Sequence, residues 1–453
     1  MKDLDTSLRM PTSLKTIFRL GVSFGLLFRS LGPLPAQASL NISVSHYQLP
    51  NGLQVILSED FTLPLVSVAV TYKAGSLHDP PGKAGLAYLL ENLMFLGSHN
   101  VGQMQHIGYV TRTGGTLNAA TMQDRTFFYQ TVPSNQLALV LWLESDRMNS
   151  LQITPTKVES AKKELTAELR RRHTESPFLK AFFHFDQMLF PDEAGNRPII
   201  GFEENIRAIT FEDVAAFHRQ HYGPQNAVLS ITGNFNALYL RELVSRYFET
   251  IPRNGDSRPS PVPPVYEKSS GTETVPAAGV PSPAVFLGFR FPSVRQDDEY
   301  GLALIDYLLC RGNTSRLVQK AVKRERLANQ LSGSLEKRSG LTAYRIFATN
   351  NNAALARQCA DAVHGELARL RSYFVSEEEL NRAKNLWRKD RLDRLSSLAE
   401  RALYLSEQLL DSGQPRNPSV EMSRVMDVTP LEIAGLMNRY FTRDNCLVLY
   451  ILK

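Results

Sequence analysis

Cysteine is scarce in this chain. Its three cysteines, Cys310, Cys359 and Cys446, stand far apart among 453 residues. No C-x-x-C spacing occurs, which excludes thiolate metal sites and dithiol redox pairs and leaves three buried thiols as the expectation. An excess of one charge is also missing: 51 Lys+Arg face 45 Asp+Glu, a net of +6. Half of that excess sits in the first 38 residues, where Lys2, Arg9, Lys15, Arg19 and Arg29 face only Asp3 and Asp5. Residues 39–453 carry 46 basic against 43 acidic side chains. The pI near 9 therefore gives no footprint for a nucleic-acid partner. Apolar runs long enough to cross a bilayer are absent as well. The stretch Leu20 to Phe28 has nine residues, too few to span. With basic residues before it and Ala36-Gln37-Ala38 after it, it reads as an export signal with a small-x-small cleavage site. The mature chain is expected to begin near Ser39, to carry no integral membrane segment, and to reach a bacterial periplasm.

What the sequence does have is 43% apolar residues over a length suited to two to four domains. Eight prolines fall between residues 252 and 283. Proline fixes φ and removes a backbone donor, so this stretch reads as an extended linker between domains 39–251 and 284–453. The two halves resemble each other. Thr210-Phe-Glu-Asp-Val through Tyr222, followed by Asn226-Ala-Val-Leu-Ser-Ile, is a capped amphipathic helix leading into a strand. Thr429-Pro-Leu-Glu-Ile through Phe441, followed by Asn445-Cys-Leu-Val-Leu-Tyr-Ile, repeats it. Gly85-Leu-Ala and Gly301-Leu-Ala form a second match in nearly the same register, as an internal duplication requires. Strands are predicted at Leu53–Leu57, Val66–Tyr72, Thr126–Thr131, Ala227–Thr232, Val285–Phe291, Leu341–Thr349 and Leu447–Leu452. Ten helices are predicted, among them Lys83–Phe95, Pro155–Arg172, Phe178–Leu189, Ser315–Arg324 and one long helix over Glu377–Leu410. The expected class is α+β: two related sandwich domains, each with helices on a mostly antiparallel sheet.

The most informative segment is Gly82-Lys-Ala-Gly-Leu-Ala-Tyr88-Leu-Leu-Glu91-Asn92-Leu-Met-Phe-Leu-Gly97. Together with Leu49-Pro-Asn-Gly-Leu, Gly114-Gly-Thr-Leu-Asn-Ala-Ala-Thr, Asp124-Arg-Thr, Trp142-Leu-Glu-Ser-Asp-Arg147, Tyr222-Gly-Pro-Gln-Asn-Ala-Val and Thr314-Ser-Arg-Leu, it resembles the insulinase, pitrilysin and mitochondrial-processing-peptidase family. That family's zinc motif is H-x-x-E-H. Its two histidines share a helix face and bind zinc, and the glutamate between them activates the metal-bound water. Here those positions read Tyr88, Glu91 and Asn92, so only the base is retained. The resemblance places a third ligand, a later glutamate, on Glu168.

A phenol with a pKa near 10 and a neutral amide are poor substitutes for imidazole. Zinc sites take at least three protein ligands. The expectation is therefore no metal and no cofactor, with Tyr88, Asn92 and Glu168 as vestigial ligand positions and Glu91 as a vestigial base. His78, His99 and His106 flank the motif as replacement ligands for an unconventional metal site. Restoring His at both 88 and 92 would rebuild the motif, and zinc affinity is expected to return with it. The resemblance also implies substrate contacts. Asn118, Ala119 and Ala120 match the edge strand on which family members lay an extended peptide, and Arg316 lies in the stretch that supplies a substrate-gripping arginine. Asn329 stands where that stretch carries a tyrosine, with Lys323 and Arg324 nearby.

The reading that follows is a catalytically inactive, exported homologue of the zinc peptidases. It would serve as the peptide-binding, non-catalytic subunit beside an active zinc-motif member, or as a homodimer. Two alternatives stay open: a metalloendopeptidase with an unconventional zinc site around Glu91 and Glu168, and a stand-alone peptide-binding or scaffold protein.

Overall fold

The computed structural model describes residues 42–190, 196–254, 267–277, 279–292, 294–338 and 341–452. The export signal and residues 255–266 of the proline-rich stretch lie outside the described residues. The first half begins with β1 (Ser45–Gln48), β2 (Gln54–Glu59), β3 (Leu65–Tyr72), α1 (Leu86–Leu93), α2 (Gln105–Arg112), β4 (Thr116–Thr121) and β5 (Thr126–Pro133). It continues through α3 (Leu137–Ser150), α4 (Pro155–Glu175), α5 (Leu179–Leu189), α6 (Glu203–Ala208), α7 (Phe211–His221), β6 (Ala227–Gly233) and α8 (Ala237–Phe248). The second half holds β7 (Gly271–Pro276), β8 (Ala284–Phe291), α9 (Gln296–Leu309), β9 (Gln330–Arg338) and β10 (Leu341–Thr349). It closes with α10 (Ala353–Ser372), α11 (Glu377–Ser396), α12 (Leu398–Ser412), α13 (Pro418–Asp427), α14 (Pro430–Tyr440) and β11 (Leu447–Leu452).

Each half builds one sheet. The orders are β1-β2-β6-β3-β5-β4 and β7-β11-β8-β10-β9. Without β1 the two match strand for strand, down to one parallel pair each, β2 with β6 and β7 with β11. The duplicated segments behave alike. Thr210 Oγ1 caps α7 by accepting the Asp213 N–H, and Thr429 Oγ1 caps α14 by accepting that of Glu432. After each helix an asparagine amide donates back to the chain: Asn226 to the His221 carbonyl at 2.8 Å, Asn445 to the Tyr440 carbonyl at 2.6 Å.

Both faces of each sheet are covered, which is why β8 reads Ala-Val-Phe-Leu-Gly-Phe-Arg-Phe with all eight residues buried. Val285, Leu287, Phe289 and Phe291 face the helices of their own half. Ala284 and Phe286 face Phe185 and Leu189 of α5, a helix from the first half. Gly288 lies under the same helix, and a Cβ there would come within 2.7 Å of Phe185 Cζ. The exchange is reciprocal. Helix α12, from the second half, covers the outer face of the first sheet, with Tyr404 and Leu405 on Ile56 and Val228, and Ala402 and Leu403 on Ala69. Polar contacts fix both crossings. Thr232 Oγ1 donates to the Leu398 carbonyl (2.6 Å), Arg401 pairs with Asp60 (2.8 Å), and Arg290 donates to the Leu189 carbonyl (2.8 Å). Asp186 of α5 pairs with both Arg338 and Arg345 of the second sheet.

This exchange corrects two expectations. The single helix over Glu377–Leu410 is two helices, because the chain breaks at Ser397 to carry α12 across to the first sheet, where the Ser397 side chain caps it. The proline-rich stretch is also more than a connector. Within it, Gly271–Pro276 pairs in parallel with β11 along six residues, supplying the counterpart of β2. The predicted helix Ser315–Arg324 forms with a π-helical course over Val318–Arg324. All three cysteines are buried and free.

Candidate functional site

Helix α1 carries the degenerate motif, and its start is built with unusual care. Gly85 sits at φ +98° with no side-chain cap of its own. The Asp79 carboxylate, six residues upstream, accepts the N–H groups of Gly85 and Ala87, each at 2.8 Å, satisfying donors that a helix start leaves open. Arg197 in turn donates to the Asp79 carbonyl. A Cβ on Gly201 would lie 2.1 Å from the Ala84 carbonyl oxygen, so glycine is required where that loop crosses the helix start. Leu86, Leu89, Leu90 and Leu93 then bury one face of α1, while Tyr88 and Asn92, one turn apart, share the half-exposed face.

The four positions bond to one another and to neighbouring side chains. The Tyr88 hydroxyl donates to Glu168 Oε1 at 3.0 Å. Arg172, one turn beyond Glu168 on α4, donates from Nη2 to the same Oε1 at 2.5 Å and to the Tyr88 hydroxyl at 3.0 Å. Its guanidinium carbon lies 5.6 Å from the Tyr88 ring centre. Burial, then the Glu168 charge, push the Tyr88 phenol up to about 12, so it is protonated at neutral pH. The Asn92 amide turns back and donates to the Tyr88 carbonyl at 3.1 Å. Glu91, 8% exposed, accepts the Thr121 hydroxyl from the end of β4 at 2.5 Å. Burial raises its carboxyl above the usual range, and the Glu168 charge adds to that against the Thr121 bonds and Arg172.

These residues do not fit zinc. A phenol that keeps its proton, a neutral amide whose oxygen is a weak donor for zinc, and a carboxylate already carrying a guanidinium do not make three ligands. Among the described residues no group of three His, Cys, Asp or Glu is placed to hold a metal ion.

Two family models match the sequence. The insulinase (peptidase family M16) model covers residues 54–188, and the peptidase M16 inactive-domain model covers 208–386. The chain belongs to the M16 peptidase family. It is 27% identical to the zinc protease PqqE of Helicobacter pylori over 436 residues, covering 95% of this chain and 98% of that one. The crystal structure of a protease from H. pylori superposes with a TM-score of 0.84 at 25% identity, covering 91% of this chain and all of the other. The periplasmic protease PqqL of Escherichia coli matches in fold, with a TM-score of 0.73 at 18% identity over 92% of this chain and 48% of its own length.

Within this M16 fold, two of the three flanking histidines are engaged by other groups. His106 is buried beside Gln130 Oε1 at 3.1 Å, in a network with Glu144 and Arg147; burial, then the Arg147 charge, drive it down to about 3. His78 Nδ1 accepts the Gly75 N–H, with its ring edge-on to His221. His99 is exposed. The peptide-strand positions Asn118, Ala119 and Ala120 lie on β4, at the edge of the first sheet, paired with β5 through Tyr129, Phe128 and Phe127. The Asn118 side chain accepts the neighbouring Ala119 N–H at 2.9 Å, so one edge donor is already occupied. Arg316 makes a bidentate pair with Glu379, at 2.7 and 2.6 Å. Lys323, Arg324 and Asn329 are exposed.

Sequence reasoning missed Arg172, Thr121 and Asp79 as parts of this site. For Arg172 the Glu168-x-x-x-Arg172 spacing was a usable signal, since i,i+4 pairs of that order meet on a helix. Thr121 closes the Gly114–Thr121 stretch quoted above, but no local pattern marks its contact with Glu91 or that of Asp79 with the helix start, since both arise through tertiary packing.

Proposed function

We propose that this chain is a catalytically inactive, exported M16 protein that binds extended peptide as the non-catalytic subunit of a complex with an active family member. The observation that carries the reading is the Tyr88–Glu168–Arg172 contact. Each group that would face a metal is hydrogen-bonded within the protein, and Glu91 is tied to Thr121 rather than left free to take a proton. Peptide binding can outlast chemistry, because an edge strand offers backbone groups whatever the motif has become. The helix exchange supports a partner. The two halves are bound into one body, so closure around a peptide would come from a second chain. Export rests on the pattern of residues 1–38, alongside the periplasmic location named for the E. coli relative.

Metal analysis of the purified mature chain tests the loss of catalysis, with no stoichiometric zinc expected. One tightly held zinc per chain, lost on Glu168→Ala, would favour the metallopeptidase reading, in keeping with the zinc-protease names of the relatives. Co-expression with a zinc-motif homologue tests the subunit role. A stable complex is expected, and a chain that stays monomeric in its presence points instead to a stand-alone scaffold.

A further inference from the structure

We propose that Arg172, solvent-exposed at the mouth of this site, is a built-in cation that takes over the metal's electrostatic role, holding Glu168 and closing the first coordination positions against zinc. The inference rests on the inactive-site reading and adds a cause to it: beyond lacking imidazoles, the site carries a resident positive charge. Three contacts place the guanidinium. Nη2 lies 2.5 Å from Glu168 Oε1, the carboxylate oxygen nearest α1. The same nitrogen lies 3.0 Å from the Tyr88 hydroxyl, the group at the first ligand position. The guanidinium carbon stands 5.6 Å from the Tyr88 ring centre, within reach of a cation–π contact. One nitrogen thus touches both the first and third ligand positions. Glu91 and Glu168 share this region, and a second carboxylate close by is unfavourable without a cation. In an M16 site with metal, zinc would supply that charge; here the next turn of α4 supplies it. Zinc would have to break the ion pair and displace the guanidinium.

The two-histidine restoration should therefore bring back less zinc affinity than the motif alone suggests. The test compares Tyr88→His/Asn92→His with the same double variant carrying Arg172→Gln, each titrated with zinc by calorimetry. Removing the guanidinium should tighten zinc binding at least tenfold. A purely structural arginine would have the opposite effect, since its loss would loosen the site. Unchanged or weaker zinc binding in the folded triple variant overturns the proposal. If the histidine variants do not fold, a double-mutant cycle in the unaltered background keeps the question open to refutation. Arg172→Gln should shift the unfolding midpoint downward when Glu168 is present and leave it unmoved in Glu168→Gln, whereas equal shifts in both backgrounds would refute the pairing. The two readings fail separately. Zinc in the unaltered chain defeats the inactive-site reading, while a zinc-free chain whose triple variant gains nothing defeats only the role of Arg172.

Discussion

The first-half helix α1 and its second-half counterpart α9 began as the same element and now differ in what they bury. In the register of the Gly-Leu-Ala match, Tyr88, Glu91 and Asn92 correspond to Leu304, Tyr307 and Leu308. In the second half, Leu304 and Leu308 are core, and Tyr307 donates to Asp390 on α11 at 2.8 Å. In the first half, Tyr88 donates to Glu168 on α4 at 3.0 Å. Both halves clip the corresponding helix pair with a phenol and a carboxylate. The first half differs in carrying a carboxylate at this position, Glu91 bonded to Thr121, where the second carries Tyr307 and buries its carboxylate one residue earlier, at Asp306 under the Tyr344 hydroxyl. The polar groups kept in the first half are satisfied inside the protein, because each one left unpaired costs about 1–3 kcal/mol.

The comparison breaks most readily at the exchanged helices. Phe185→Ala removes a fully buried ring of α5 from the second sheet, and Leu405→Ala removes a fully buried side chain of α12 from the first. Each is expected to cost about 3–4 kcal/mol, in a single transition that melts both halves together. Two separate calorimetric transitions in either variant would mean that the halves stand independently. Acid should act through the first half. His106 is held neutral, with its pKa pushed down to about 3 against about 6.5 unfolded. Between those values the unfolded chain binds the extra proton, so this contribution is complete above pH 6.5 and is lost as pH falls toward 3. At pH 5 the loss is about 2 kcal/mol. Urea midpoints for the unaltered chain and for His106→Gln at pH 7 and pH 5 measure it, and an equal drop in both would remove His106 from the account.

A smaller effect belongs to Thr121→Val. It strips the hydroxyl from the buried Glu91 carboxylate and should cost about 1–2 kcal/mol, read as a lowered thermal midpoint. Glu91→Gln should change least. It keeps an oxygen for Thr121 while removing a charge that burial disfavours, so stability at pH 7 should hold or rise by about 0.5 kcal/mol. A clear loss of stability would show that the first half still depends on that charge.

Much of the fold was readable because the duplicated segments announce themselves through local chemistry. Thr210 and Thr429 each open a helix with an acidic residue three positions on, and both capping boxes form. Strands buried on both faces, such as Ala284–Phe291, read as unbroken apolar runs. The omissions have equally physical causes. β1 is Ser-His-Tyr-Gln and β7 is Gly-Thr-Glu-Thr-Val-Pro, both half-solvated edge strands without an apolar pattern. The break at Ser397 was hidden because serine both continues and caps helices, and only the destination of α12 decides between them. At the site, helical spacing put Tyr88 and Asn92 on one face of α1, and the resemblance pointed to Glu168, whose side chain meets Tyr88. Neither revealed that these residues and Glu91 bond to one another, to Thr121 and to Arg172, because those contacts depend on side-chain directions set by packing.

The crossing of α5 and α12 has a consequence for a broken backbone. Cutting the chain between Phe248 and Gly271 would yield two pieces, each carrying the helix that shields the other's sheet. Neither piece could cover its own outer face, so each alone would expose a broad apolar surface. Together they should reassociate without help, as split-protein fragments do, through contacts already present in the intact molecule. What the peptide link adds is proximity, an effective concentration in the millimolar range for a short connection. The link therefore acts as a tether that speeds assembly, while the reciprocal clasp does the holding.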